Sequence, residues 1–259
     1  MFILLFPSIG TAQQQIYIEP TVGLQTRRGG FDKGAPHLER AGLSVFSYGL
    51  LVRWKSMAES RLDYSSGLML GGASFGYRAS IPPQSLMGTT ASFSAGKSSS
   101  TNVWHFPLRV GYQIKELYLN RVQNEQQTLK ISLQAGPQLD YLVKNQFDNY
   151  NDSPISSGPS SNNRIGLLRT PIDSARWGSS IYAGTQFRYC RKGHERLQLT
   201  LYTILGLTDM LTYRLDYQLN NDSFSTLIRA RTSAIGFSVG VPIRIWPFGF
   251  KSQKIEGKQ

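Results

Sequence analysis

The sequence of 259 residues has little cysteine, little charge and no long apolar run. Its single cysteine, Cys190, excludes an internal disulfide and a zinc site built from several cysteines. No stretch approaches the roughly 18 continuous apolar residues of a transmembrane helix. Charged residues make up 17% of the chain, below the roughly 25% of an ordinary soluble domain, so part of the surface is not expected to face water. The net charge of +12 comes from scattered basic residues that form no long run, so nucleic acid is not predicted as a partner.

The first twelve residues, MFILLFPSIGTA, are mostly apolar and end in small residues. This pattern predicts an export signal cleaved after Ala12. The Lys or Arg that usually begins such a signal is absent, so we expect the natural chain to start further upstream. The alternative, a buried N-terminal strand, does not explain why the apolar segment stops before three glutamines. The predicted organisation is a signal peptide at 1–12, one folded region at 13–246 and a basic tail at 247–259.

Apolar and polar residues alternate with a period of two along the remaining chain, and helical spacing is nearly absent. The alternation is clearest in 103–114 and 129–144, where one parity is apolar and the other is polar or small. Near Gly71 and Gly72 the parity changes, which predicts a β-bulge. The chain is therefore predicted to be all-β, with eight strands at 16–25, 43–55, 61–77, 103–114, 129–144, 177–190, 197–209 and 227–246.

Strands with two unlike faces fit either a soluble carrier barrel with an apolar interior or a membrane barrel with an apolar exterior. The polar parity is rich in Gly, Ser and Gln, which suits a confined lumen, and the apolar parity carries almost no charge, as lipid requires. The predicted fold of 13–246 is therefore an eight-stranded antiparallel up-and-down transmembrane β-barrel of the outer membrane. The basic tail at 247–259 is then expected in the periplasm. Val110 and Leu133 are expected to face lipid, whereas their neighbours Gly111 and Gln134 are expected to face the lumen.

The connections between the predicted strands alternate in length, as they do in membrane barrels. We expect both termini in the periplasm and the long loops outside, at 26–42, 78–102, 145–175 and 212–226. Shorter turns are expected at 56–60, 115–127 and 191–196. Within the third long loop, the tract 145–163 is rich in Ser, Asn, Asp, Pro and Gly and is predicted to be irregular and mobile. Aromatic residues are predicted at the outer interface (Trp104, Trp177, Tyr77, Tyr141) and at the inner one (Trp54, Tyr64, Tyr112, Tyr189).

The polar parity also places charged side chains inside the predicted barrel, with positive charge in excess. Because an eight-stranded barrel is wide enough only for its own side chains, we interpret this set as an interior network of ion pairs and hydrogen bonds. The alternative is a narrow, anion-preferring channel for small solutes. The predicted network comprises Glu19, Arg53, Asp63, Arg109, Lys130, Asp140, Lys144, Arg188 and Arg244.

Catalysis would need a nucleophile and a base oriented toward it. His37 and His194 lie in predicted connections, while His105 lies on the luminal parity with no serine partner evident in the sequence. We expect His105 and Cys190 to be packing residues. The sequence therefore predicts no catalytic residue, no cofactor and no metal site, and an outer-membrane hydrolase remains a less favoured alternative.

Several short motifs resemble the PorT-like outer-membrane β-barrel proteins of the Bacteroidetes. They are Phe106-Pro107-Leu108 with Gly111-Tyr112, Ala135-Gly136-Pro137 with Asp140-Tyr141, and Gly206-Leu207-Thr208-Asp209. The resemblance covers nearly the whole mature chain and implies a small eight-stranded barrel, with assembly of a secretion system as one role in the family. This chain departs from the family where Trp246 is followed by a tail. We expect a structural, interaction or secretion-assembly protein, with outer-membrane lipid and other envelope or secretion-system proteins as partners.

Overall fold

The strands of this protein are long and their pairing is antiparallel throughout the part of the chain that the structure describes. The structure is a computed structural model, and it describes residues 15–28, 30–31, 38–55, 60–81, 93–120, 126–143, 150–156, 164–219 and 222–245. The strands are β1 (Gln15–Arg28), β2 (Gly30–Phe31), β3 (Leu38–Lys55), β4 (Leu62–Ile81), β5 (Phe93–Asn120), β6 (Gln127–Leu142), β7 (Tyr150–Ser156), β8 (Arg164–Ser174), β9 (Trp177–Arg191), β10 (His194–Gly206), β11 (Asp209–Leu219), β12 (Asp222–Arg231), β13 (Ala234–Gly240) and β14 (Ile243–Ile245). Within these residues, no helix is long and apolar enough to cross a membrane.

Eight of the strands form a closed ring. The order is β1, β3, β4, β5, β6, β9, β10 and β13, and β13 pairs back onto β1. The short strand β14 continues the pairing with β1 after a break at 241–242. The predicted eight-stranded antiparallel barrel is therefore confirmed. We call the end that holds Gln15 and Ile245 the proximal end, and the opposite end the distal end.

The register of the ring fixes the tilt of its strands. Successive partners run Ile16, Trp54, Tyr64, Val110, Ala135, Ala183, Thr203, Ile235 and back to β1 at Thr26, ten residues beyond the start. With about 3.3 Å per residue and about 4.8 Å between strands, this stagger corresponds to a tilt of about 40°. Such a narrow, strongly tilted ring leaves an interior that side chains fill.

The two faces of the ring have opposite character, as the alternation predicts. Leu133 is 51% exposed on the outside, whereas Gln134 is 4% exposed inside. Between the two aromatic levels, the outward positions of the described ring strands carry no Asp, Glu, Lys or Arg. Exposed apolar residues instead form a continuous outer belt that includes Val22, Phe46, Leu50, Val52, Leu68, Phe106, Leu108, Val110, Leu139, Ile181, Leu199, Leu201, Leu205, Ile235 and Phe237.

Aromatic residues border this belt at both ends. Trp104, Tyr141 and Trp177 lie opposite one another on three adjacent strands at the distal border, and the Tyr141 and Trp177 rings are 4.7 Å apart. At the proximal border, Trp54 stacks on Tyr64 with ring centroids 5.9 Å apart. Amphipathic rings at two levels are typical of barrels that meet a water–lipid boundary on each side.

A second sheet lies beyond the distal end of the ring, mostly in segments that were predicted to be loops. Its order is β2, β12, β11, β8 and β7, all antiparallel. Strand β7 (Tyr150–Ser156) falls inside the tract 145–163, so the prediction that this tract is irregular is wrong for that segment. Cross-strand pairing with β8 supplies the backbone hydrogen bonds that the composition of the tract did not indicate.

The predicted last strand at 227–246 is also wrong in part, because it joins segments of both sheets. Residues up to Arg231 belong to β12, while β13 begins at Ala234. Thr232 and Ser233 lie between them outside any strand. The alternation continues across this break, which is why periodicity alone did not reveal it.

Bulges interrupt the ring at defined places. The slip predicted at Gly71 and Gly72 lies opposite them on β3. Ala41 and Tyr48 are seven positions apart, whereas their partners Gly76 and Leu70 are only six positions apart. Along β4 itself the register with β5 is unbroken. The predicted turn at 115–127 is also shorter than expected, since β5 runs to Asn120 with register shifts after Gln113 and Tyr118.

Candidate functional site

The ring encloses a set of buried polar and charged side chains that we treat as the candidate site. Inward-facing positions of every ring strand contribute to it, because successive residues of a strand alternate between the two faces. Of the predicted network, Glu19, Arg53, Asp63, Arg109, Asp140 and Arg188 are buried in this lumen. They form two charged clusters separated by a layer of aromatic side chains.

The proximal cluster consists of Glu19, Arg53, Asp63, Arg188 and Glu195. Arg53 pairs with Glu19 through Nε at 2.5 Å and with Glu195 through Nη2. Arg188 pairs with Asp63 at 2.8 Å and with Glu195 at 3.5 Å. Glu195 therefore bridges the two guanidinium groups, and the five side chains form one continuous network across the lumen.

Glu195 is absent from the predicted network because a bulge changes its parity. Its neighbour Arg196 is an extra residue on β10 between the pairs Glu195–Cys190 and Leu197–Tyr189. Without that bulge, Glu195 would share the outward parity of Leu197 and Leu199. With it, the carboxylate points inward, where it is 6% exposed. Glu195 lies within the predicted turn 191–196, and nothing in the local sequence pattern indicates that its side chain points inward.

The middle of the lumen is aromatic. Tyr182 stacks on Tyr202 with ring centroids 5.6 Å apart, and the Arg109 guanidinium lies 3.7 Å from the centre of the Tyr182 ring. A cation over a ring face is stabilised by the ring quadrupole, more strongly when water is excluded. Arg109 also lies 3.4 Å from the sulfur of Met69. This layer separates the two charged clusters and fills the centre of the barrel.

The distal cluster consists of Arg27, His105, Gln138, Asp140 and Thr232. Arg27 Nη2 lies 3.2 Å from His105 Nε2, and His105 Nδ1 lies 2.7 Å from Asp140 Oδ1. Because an arginine only donates hydrogen bonds, Nε2 is the acceptor and the ring proton is on Nδ1, which donates to Asp140. Gln138 and Thr232 donate to the two oxygens of the same carboxylate, at 2.9 and 2.7 Å.

The distal mouth of the lumen is occupied by residues that come from the second sheet and its connections. Met210, at the start of β11, is fully buried, and its sulfur lies where a side chain at Gly178 would otherwise stand. Thr232, which follows β12, is 1% exposed and reaches Asp140. The second sheet is thus anchored in the barrel mouth by buried contacts on either side of the β11–β12 hairpin.

The charges buried in the described lumen are closer to balance than the sequence indicates. Arg27 and Glu195 join the predicted set, so four buried arginines face four carboxylates. The predicted excess of positive charge is corrected accordingly, and what remains of it lies at the proximal mouth, where Lys55 is buried and Lys130 is half-buried. Balanced, mutually paired charges are the pattern expected of a filled interior.

Two further predicted residues lie elsewhere. Arg244, on β14, lies opposite Tyr17 of β1 and so has the luminal parity, but it is exposed at the open proximal mouth. Its position follows from the break at 241–242, beyond which β14 pairs with β1 alone. Lys144 lies outside the described residues, as do the predicted signal peptide and tail.

The described side chains of the lumen that could take part in catalysis or metal binding are already in contact with other protein groups. Both ring nitrogens of His105 are engaged by protein groups, and Cys190 is buried with its sulfur 3.9 Å from a backbone carbonyl. Within the described part of the chain, no group of three or more His, Cys, Asp or Glu side chains could hold a metal ion. The buried groups instead form a network that crosslinks strands distant in sequence.

Comparison with known proteins gives few similarities. No protein-family model matches the chain, and no curated protein matches it. Among solved structures, the outer membrane protein OprG from Pseudomonas aeruginosa aligns with 12% identity over 90% of this chain and 96% of that one, with a TM-score of 0.33. The transport unit of the autotransporter AIDA-I from Escherichia coli aligns with 10% identity over 95% and 94%, with a TM-score of 0.22. At these scores neither likeness supports an assignment, and the PorT-like resemblance stays a prediction.

Proposed function

We propose that this protein is a bacterial outer-membrane barrel whose closed lumen passes no solute and which serves as a membrane anchor. We further propose that the second sheet is its working surface, meaning the surface that contacts a partner. The observation that carries the proposal is the lumen, in which two paired charge clusters lie on either side of an aromatic layer. A charge-free apolar belt bordered by aromatic residues supports the membrane location. With the termini in the periplasm, the distal end and the second sheet would lie outside the cell.

The filled lumen favours an anchor over a channel. An ion crossing the barrel would have to displace Arg53, Arg188 and Glu195, each held by partners on other strands. Separating these charges would leave them uncompensated in an interior of low dielectric constant, so spontaneous opening of the network would be rare. A passage for anions is therefore less favoured than a closed barrel.

The second sheet is the part of the chain best placed to meet a partner. Backbone pairing joins its strands, and one of its faces, which includes Leu215, Ile228 and Ala230, is buried. Its other face presents exposed polar side chains such as Arg214 and Ser225. A role in interaction or assembly at the cell surface also agrees with the PorT-like resemblance. We propose no enzymatic activity, because His105 has no open position for a substrate.

Conductance and crosslinking test the two halves of this proposal. We expect wild-type protein in planar bilayers to show no sustained open state, and a state of hundreds of picosiemens would overturn the closed lumen. A photo-crosslinking side chain at Arg214 should give protein adducts of discrete mass in native membranes. The matched position is Arg196, an exposed arginine at the proximal end, and adducts from Arg196 alone would overturn the assignment of the working surface.

A further inference from the structure

A cavity at the proximal end of the barrel is lined by an unusual number of basic side chains. Its volume is about 350 Å³. Four cations, from the ends of β3, β4, β5 and β6, meet there. The lining residues are Lys55, Ser60, Arg61, Gln113, Ile114, Lys115, Glu116 and Lys130.

The backbone builds this cavity where the regular ring ends. The amide of Gln113 donates to the carbonyl of Arg61 at 2.7 Å, which holds the start of β4 against β5. Immediately afterwards Ile114 is an extra residue on β5, between the pairs Gln113–Ser132 and Lys115–Ile131. A bulge bends its strand and redirects the side chains beyond it, so Lys115 and Glu116 meet the rim at a new angle.

The charge of the cavity calls for an anion. Among the described residues that line the cavity, Glu116 is the one carboxylate, and Gln113 already donates to it at 3.3 Å. Glu195 of the proximal cluster also attracts Lys55 and Lys130, so the excess of positive charge that an anion would balance lies mainly with Arg61 and Lys115 at the rim. Arginine binds carboxylates and phosphates alike, but the tetrahedral oxygens of a phosphate accept from donors that converge from several directions, whereas the two oxygens of a carboxylate lie in one plane.

The cavity also borders the apolar belt. Ile114, in its wall, is 48% exposed, and Tyr112, two residues before it, is exposed on the same outer face. A ligand whose anionic end enters the cavity could therefore extend a hydrocarbon chain along the outside of β5. The acyl chains of a phospholipid would contact this apolar border, whereas a soluble phosphate has no apolar part that could do so.

We propose that this cavity binds the phosphate group of an anionic phospholipid from the leaflet at the proximal end. The inference rests on the proposed membrane location and names a lipid for one site on it. Free phosphate shares the same chemistry, and the experiment separates the two sources. Removal of one basic group from such a site is expected to weaken lipid binding about fivefold.

Native mass spectrometry of the detergent-solubilised full-length protein tests the site. The probes are phosphatidylglycerol, phosphatidylcholine and inorganic phosphate. We expect phosphatidylglycerol to be retained at least tenfold more tightly than phosphatidylcholine. Arg61→Gln and Lys115→Gln should each reduce that retention about fivefold and together about 25-fold. Arg196→Gln, which removes an exposed arginine at the same end but on β10, should leave it unchanged.

Three results would overturn the inference. The first is that the wild type and the double variant retain phosphatidylglycerol equally. The second is that Arg196→Gln loses as much retention as Arg61→Gln or Lys115→Gln. The third is that inorganic phosphate stabilises the protein while the two lipids are retained equally. Heat-modifiable migration on a gel is recorded for each sample. If the wild-type barrel is heat-modifiable but shows no preference for phosphatidylglycerol, this inference alone is contradicted. If the wild type is not heat-modifiable, the proposed function is contradicted as well.

Discussion

Arg188 is the residue on which the proximal cluster depends most. It is 1% exposed and is the arginine that pairs with Asp63, whose carboxylate is equally buried. It also donates to Ser132 at 2.5 Å and contacts Glu195. Removing its charge would leave the Asp63 carboxylate without its ion-pair partner in a space that excludes water.

Arg188→Met should therefore lower the free energy of unfolding by about 3–5 kcal/mol, the usual cost of leaving one partner of a buried pair. Urea unfolding in lipid vesicles, followed by tryptophan fluorescence, measures the change. Adding Asp63→Asn should recover part of the loss, because the second substitution removes the stranded charge. Glu116→Gln, which neutralises an exposed carboxylate at the same end, is the matched second substitution. If Asp63→Asn and Glu116→Gln restored the free energy of unfolding equally, net charge rather than the Asp63–Arg188 pair would be the cause of the loss.

The sequence could predict most of this cluster but not its centre. Glu19, Arg53, Asp63 and Arg188 each follow the period of their strand, so parity alone places them inside. Glu195 follows a bulge, and a bulge depends on how two strands pair rather than on composition. Arg27 was missed for a different reason, because β1 continues to Arg28 inside a segment predicted to be a loop.

At the scale of elements, the ring strands were predictable and the second sheet was not. Ring strands have one face toward apolar surroundings and one toward the lumen, which imposes strict alternation on the sequence. Strands β7 and β8 follow no such rule, and β7 includes Asp152 and Pro154 in a polar tract. Their formation depends on pairing with each other and on the pairing of β8 with β11, tertiary contacts that local sequence does not encode.

The hairpin of β11 and β12 is held at its base by an ion-pair group. Asp209 accepts hydrogen bonds from Arg231 Nε at 2.5 Å and from Arg229 Nη1 at 3.3 Å. Partial burial works to raise the pKa of Asp209, but the hydrogen bonds and positive charges of Arg231 and Arg229 together outweigh it, so the pKa lies below its ordinary value of 3.8. A depressed pKa means that the charged form stabilises the folded hairpin. That stabilisation is present above pH 3.8 and is lost as the pH falls through the lower, folded-state pKa.

Asp209→Asn should therefore increase hydrogen exchange of the β11 and β12 amides at pH 7. The effect should be modest because the arginines are exposed and solvent screens the pair. The difference from wild type should persist at pH 5 and shrink below pH 3.8, where the wild-type carboxyl begins to protonate. Asp222→Asn, an exposed position at the other end of the hairpin, should exchange like wild type at every pH. A difference independent of pH would rule out the ion pair as the cause.

At the scale of the whole molecule, ring closure and sidedness are two aspects of one arrangement. Closure leaves no unpaired edge among the eight strands, which is the condition for a sheet to enter hydrocarbon. The same closure forces every alternate side chain into a narrow interior, where polar groups must pair with each other. An apolar belt outside and a paired polar network inside are therefore expected together.

The location of the belt can be tested by placing one charge at two positions of equal exposure. Leu133 lies mid-strand in the belt and is 51% exposed, whereas Ile172 lies on β8 in the second sheet and is 50% exposed. If the belt faces lipid, Leu133→Arg should weaken folding into vesicles by about 2–4 kcal/mol, while Ile172→Arg should change it by less than about 1 kcal/mol. Urea titration and heat-modifiable migration in the same vesicles give both values. If the belt instead faced water, the two substitutions would be tolerated alike, because a charge costs little at an exposed position in solvent.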